Sequence, residues 1–86
     1  MTKDLSLKIR LDNKIKEYND YVQESVKLLE RLLNDPNTSI TECSDTARLC
    51  SEHMKTLRNQ IGLLASRCMY DRIPVNDFAL ECIKNM

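Results

Sequence analysis

"ITECSDTARLCSEHMKTLRNQIGLLASRC", residues 40–68, holds no proline and one glycine, and its apolar residues keep a fixed beat. Ile40, Cys43, Ala47, Cys50, Met54, Leu57, Ile61, Leu64 and Cys68 follow one another in steps of 3, 4, 3, 4, 3, 4, 3 and 4. That spacing keeps one stripe of a helix turned toward a neighbouring helix, the a and d positions of a heptad repeat. Ser39 and Glu42 just upstream have the separation of a capping box. A helix from about residue 40 to about residue 70 is therefore expected.

The same stretch carries the residues most suggestive of chemistry, Cys43, Cys50 and His53. Two helical turns separate the cysteines, about 10 Å along the axis, whereas a disulfide needs roughly 4.4–6.8 Å between α-carbons. Cys50 and His53 could share a metal ion, but a four-ligand site would also need two of Cys43, Cys68 and Cys82. No closely spaced cysteine knuckle of the zinc-binding kind is present. The cysteines read as small buried seam residues and His53 as an edge residue. No metal and no cofactor are expected.

Upstream, residues 2–34 contain neither glycine nor proline. Leu7, Leu11, Ile15, Tyr18, Val22, Val26, Leu29 and Leu33 recur at helical spacing, giving a first helix over about 3–34. Leu5, Leu7, Ile9 and Leu11 also alternate as a half-buried strand would. A lone strand has nothing to pair with, so helix is the expectation there too. Between the two helices, "NDPNTS" (34–39) combines Asp-Pro with turn-forming Asn, Thr and Ser. Downstream, Pro74 breaks the pattern and Asn76 or Asp77 offers a new cap. The third helix, about 76–85, is too short to persist alone.

A tight connection makes the long helices antiparallel neighbours. Folding at the turn sets Leu33 against Ile40, Leu29 against Ala47, Ser25 against Cys50 and Val22 against Met54. Tyr18 then meets Leu57, Ile15 meets Ile61, Leu11 meets Leu64, and Leu7 meets Cys68. The expected fold is one all-α domain over residues 1–86. It is a long, coiled-coil-like antiparallel helical hairpin, with a short C-terminal helix completing a three-helix bundle.

At 86 residues, 42% hydrophobic and 30% charged, the chain is composed like a folded domain with a small core. Cores of this size supply about 3–5 kcal/mol unaided, so support from disulfides, a metal or a partner chain is anticipated. No secretory leader and no apolar run of membrane-spanning length is visible, which points to the cytoplasm or nucleus. The formal net charge is zero but uneven. Residues 1–16 sum to +3, 17–54 to −5, 55–72 to +3 and 73–86 to −1. Folded as a hairpin, the open end is basic and the turn half acidic.

Enzymatic function is not expected. No phosphate-binding glycine loop, no carboxylate pair placed for acid–base work and no cationic seam residue between Leu11 and Leu64 is present. What remains is apolar surface beyond the seam. Val26 and Leu33 flank it on one side of helix 1, and Leu7, Tyr21 and Leu28 on the other. Leu49, Leu63 and Tyr70 share one register position on helix 2, with Met69 beside them. Helix 3, with Gly62 and Ser66 allowing close approach, is expected to cover Leu5, Ile9, Leu63 and Tyr70. Tyr21, Val26, Leu28 and Leu49 lie beyond its reach and are the candidate partner-binding residues. The expected function is a protein–protein interaction module, a small scaffold or adaptor subunit contacting another copy or another chain through helical packing. The alternative is a basic docking end formed by Lys8, Arg10, Lys14, Arg58 and Arg67, which would bind nucleic acid or an acidic membrane surface. Basic residues without interleaved aromatics make nucleic acid the weakest of these partners.

Overall fold

Six residues reverse the chain. The Asp35 carboxylate accepts the backbone N–H of Asn37 at 2.9 Å, an Asx turn that holds Pro36 outside both helices. Ser39 then accepts the N–H of Glu42 at 3.1 Å and caps the following helix. The computed structural model describes residues 3–86, with side chains from Ser6 onward. It comprises α1 (Lys3–Leu33), α2 (Ile40–Tyr70) and α3 (Asp77–Lys84). The molecule is all-helical among the described residues, with α1 packed on α2 and α3 on α2 as a three-helix bundle. The segment that alternates at its start is helix from Lys3. Leu11 there is buried and Leu7 half-buried, while the side chain of Leu5 lies outside the described residues.

The core is centred on Ile61, with Leu11, Ala65, Cys68, Ala79 and Cys82 buried around it. Ile15, Tyr18, Leu64, Val75 and Phe78 pack against that cluster. The heptad seam closes from Cys50 to Cys68 but opens toward the turn. Ala47 is exposed and Thr46 takes its half-buried place, while Ile40 is 89% and Leu33 72% exposed. Leu33 against Ile40 and Leu29 against Ala47 are therefore not buried layers. The cause is the mismatch between a repeat of 3.5 and a helix of 3.6, about 20° of drift per heptad. Three heptads from Ile61 to Ile40 rotate the stripe by about 60°, enough to carry its far end out of the interface.

α2 ends in a Schellman motif built without glycine. Arg72 takes the left-handed backbone (φ 62°), the Ile73 N–H donates to the Cys68 carbonyl at 2.8 Å, and the Arg72 N–H to that of Met69 at 3.0 Å. Ile73 packs back on the cluster that holds Cys68, the apolar contact such motifs carry. Asn76 is the next cap, accepting the Ala79 N–H at 2.8 Å. α3 is thereby laid over Gly62, where an added Cβ would stand 3.0 Å from the Cys82 carbonyl and strike the Met86 side chain. From there Phe78 reaches across to Tyr18 of α1, ring centroids 5.2 Å apart.

Two outcomes follow from this packing. In urea denaturation, Leu57→Ala and Ile61→Ala should each cost about 2–4 kcal/mol as large-to-small core changes. Arg58→Ala, Asn59→Ala and, despite its place in the heptad, Ile40→Ala should stay within about ±0.5 kcal/mol. Equal costs across the set would show that the buried stripe runs elsewhere. Gly62→Leu should lift α3 from α2 while the hairpin persists. The readout is a faster reaction of the buried Cys82 thiol with a disulfide reagent, at nearly unchanged helicity.

Candidate functional site

α3 shields one side of the hairpin and leaves the other bare. At 100° per residue, Leu49, Leu63, Arg67 and Tyr70 fall about 80–140° around α2 from Gly62, away from the α3 contact. Leu63 is 58% and Tyr70 89% exposed, and Ile9 is exposed as well. The expectation that α3 covers Ile9, Leu63 and Tyr70 is thus corrected. Gly62 does give the close approach, and the turn after α2 delivers α3 to that small residue and to Ala65. Ser66 instead lines a groove on the opposite side.

That groove encloses about 540 Å³ at the open end, between Leu7 and Arg10 of α1 and Leu63, Leu64, Arg67 and Tyr70 of α2. It is apolar along its floor and carries two guanidinium groups. Among the described residues no carboxylate lies within ion-pair distance of Arg10 or Arg67. The other members of the expected basic end lie elsewhere or are engaged. Lys8 pairs with Asp12 at 2.8 Å and Lys14 with Glu17 at 3.2 Å. Arg58 lies near Cys82 and Asn85, beside the end of α3. The five cations do not form a single patch.

Nearer the middle of the same side, a second groove of about 410 Å³ is lined by Lys16, Glu17, Asp20, Tyr21, Glu24 and His53, among others. Tyr21 is half-buried, its ring edge-on to His53 with centroids 4.5 Å apart. It is therefore only partly available to a partner. Its phenol meets the buried Ser25 and Cys50, the one polar layer of the seam. The Cys50 thiol, hydrogen-bonded to the phenol, pushes the Tyr21 pKa above its ordinary value; burial adds to the rise and the Ser25 hydroxyl opposes it. Toward the turn, Leu28 and Leu49 are exposed as expected. Val26 is exposed too, but two residues from Leu28 is about 200° of helix. It sits in a separate depression with Val22, Gln23, Lys27 and Glu30. The four candidate partner-binding residues therefore do not share a face. Leu63 and Tyr70, assigned in the sequence to α3, belong with Leu49 instead, and their common heptad position was the available signal.

Cys43 is half-buried, Cys50, Cys68 and Cys82 are buried, and none is in a disulfide. No group of three or more metal-ligating side chains occurs among the described residues. Among these residues no helix is long and apolar enough to cross a membrane. No family model matches the chain, and no curated protein or solved structure does either.

The titrating groups give a pH test. Burial pushes the Cys82 thiol above its ordinary 9.0, against the opposing pull of Arg58. Both Cys82 and Tyr21 keep their protons more tightly folded than unfolded, so above the unfolded values the unfolded chain binds fewer protons and stability falls. Their contributions are complete below the ordinary 9.0 of the thiol and 10.0 of the phenol, and are lost as pH rises through the folded values. Thermal melts should show this alkaline loss in the wild type. Cys82→Ala should remove its earlier part and Tyr21→Phe its later part.

Proposed function

We propose that the chain is a protein–protein interaction module, a small scaffold or adaptor subunit of an intracellular assembly, acting through the bare flank of its helical hairpin. The observation that carries this reading is the stripe of Leu49, Leu63 and Tyr70, exposed at heptad multiples on the side α3 leaves uncovered. Scattered exposed leucines are ordinary on small proteins. Residues repeated in register form a face a helix can lie along, in the manner of a coiled-coil seam. Leu28 from α1 extends the face toward the turn. Burial at about 25 cal/mol per Å² of apolar surface would contribute a few kcal/mol, a substantial supplement for a core this small.

The test is a variant carrying Leu28→Asp and Leu49→Asp. Both side chains are exposed, so circular dichroism should show unchanged helicity. The variant should lose self-association in light scattering, or lose the chains that the wild type retains from a cell extract. A monomeric wild type whose double variant still retains every such chain would defeat the proposal.

A further inference from the structure

We infer that the bare flank is occupied by a second copy of this chain, packed antiparallel about a two-fold axis near Thr56 of α2. The inference rests on the interaction reading above and names its partner. Its basis is a symmetry in what the flank presents. Asp45, Leu49, Thr56, Leu63 and Arg67 all fall within about 40° of one another around α2, and all are exposed. Leu49 and Leu63 stand seven residues to either side of Thr56, and Asp45 and Arg67 eleven to either side. Rotated about Thr56, Leu49 of one copy faces Leu63 of the other, and Asp45 faces Arg67. Each contact occurs twice, as an isologous dimer requires.

Long-range charge agrees with that arrangement. Residues 1–16 and 55–72 form the open half and each sum to +3, while residues 17–54, mostly the turn half, sum to −5. Antiparallel stacking sets the basic half of each copy over the acidic half of the other; parallel stacking would set like on like. Arg67, which has no carboxylate within ion-pair distance among the described residues, gains one. Among the described residues Asp45 pairs with Arg48 at 3.8 Å, an exposed and weak contact. The length of the face agrees too. The backbone extends over 57 × 20 × 16 Å, so the long face has the dimensions of a standard interface, to which each partner gives roughly 800 Å². The product is a closed dimer with the two hairpins forming a four-helix layer and each α3 on the outside.

Sedimentation equilibrium of the full chain should give twice the 10.0 kDa chain mass, shifting toward monomer as salt screens the charge contacts. Asp45→Arg alone sets two arginines face to face, and Arg67→Asp alone sets two aspartates face to face; each should raise the dimer dissociation constant at least tenfold. Mixing the two single variants should restore a one-to-one heterodimer at wild-type affinity, because both contacts are then complementary. A wild type that stays monomeric at high concentration overturns the inference. So does a dimer indifferent to both reversals, or a mixture that fails to pair. If the monomeric wild type still loses a captured chain through Leu28→Asp and Leu49→Asp, the interaction reading stands and only the second copy is rejected.

Discussion

The approach of α3 to Gly62 is the contact on which the arrangement depends. A two-helix hairpin can bury one stripe from each helix, and at this length that stripe is narrow. A Cβ at residue 62 would stand only 3.0 Å from the Cys82 carbonyl and would strike the Met86 side chain, so glycine lets the α3 backbone approach α2 more tightly than a side chain there would comfortably allow. That closeness brings Ala79 and Cys82 down onto Ile61, Ala65 and Cys68 and completes the buried cluster. The same contact decides the surface. By lying on the Gly62 side, α3 leaves Leu63 and Tyr70 without cover, and an eight-residue helix cannot wrap to the other flank.

Small residues dominate the cluster for a related reason. Alanine and cysteine fill it where a larger protein would place phenylalanine, and the sole phenylalanine is half-buried against Tyr18. Small side chains let three helices converge but bury little apolar area each, and stabilisation scales with that area. Cysteine suits such a core because its thiol packs as a small hydrophobe. The desolvated Cys82 thiol resists ionisation for the same reason it stabilises.

The turn and the caps were legible because their signals are local. Asp-Pro with Asn and Ser39 with Glu42 require only neighbouring residues to act, and Ser39 and Asn76 cap as their sequence contexts imply. The seam was legible at its centre and misread at its turn end, where a strict 3.5-residue beat was taken to hold on a helix that keeps 3.6. The end of α2 near residue 70 was legible from Pro74 beyond it, but not its left-handed cap, which is normally read from glycine or asparagine and here falls on Arg72. That left-handed turn, with Ile73 packed back on the cluster, leads the chain into the segment that lays α3 over Gly62. Val26 and Leu28 were grouped by distance from α3 along the axis, a measure blind to rotation around it.

The polar layer of Ser25, Cys50 and Tyr21 bears on the register of the hairpin. Ser25 is almost fully buried, and a hydroxyl taken out of water costs free energy unless it is hydrogen-bonded. In the observed register it lies in one layer with the phenol of Tyr21 and the thiol of Cys50. A slip of α1 along α2 by one heptad would put Leu57 or Cys43 opposite it: the first replaces the thiol by a large apolar side chain, and the second keeps a thiol but in the half-buried layer near the open turn end. The leucines on either side would tolerate such a slip, since one apolar layer resembles the next. The polar layer does not, and single polar seam residues fix register in this way in other helical assemblies. The hairpin thus keeps its alignment through the least hydrophobic layer it buries, and with it the spacing of Leu49, Leu63 and Arg67 relative to Tyr21 and Arg10 on the flank.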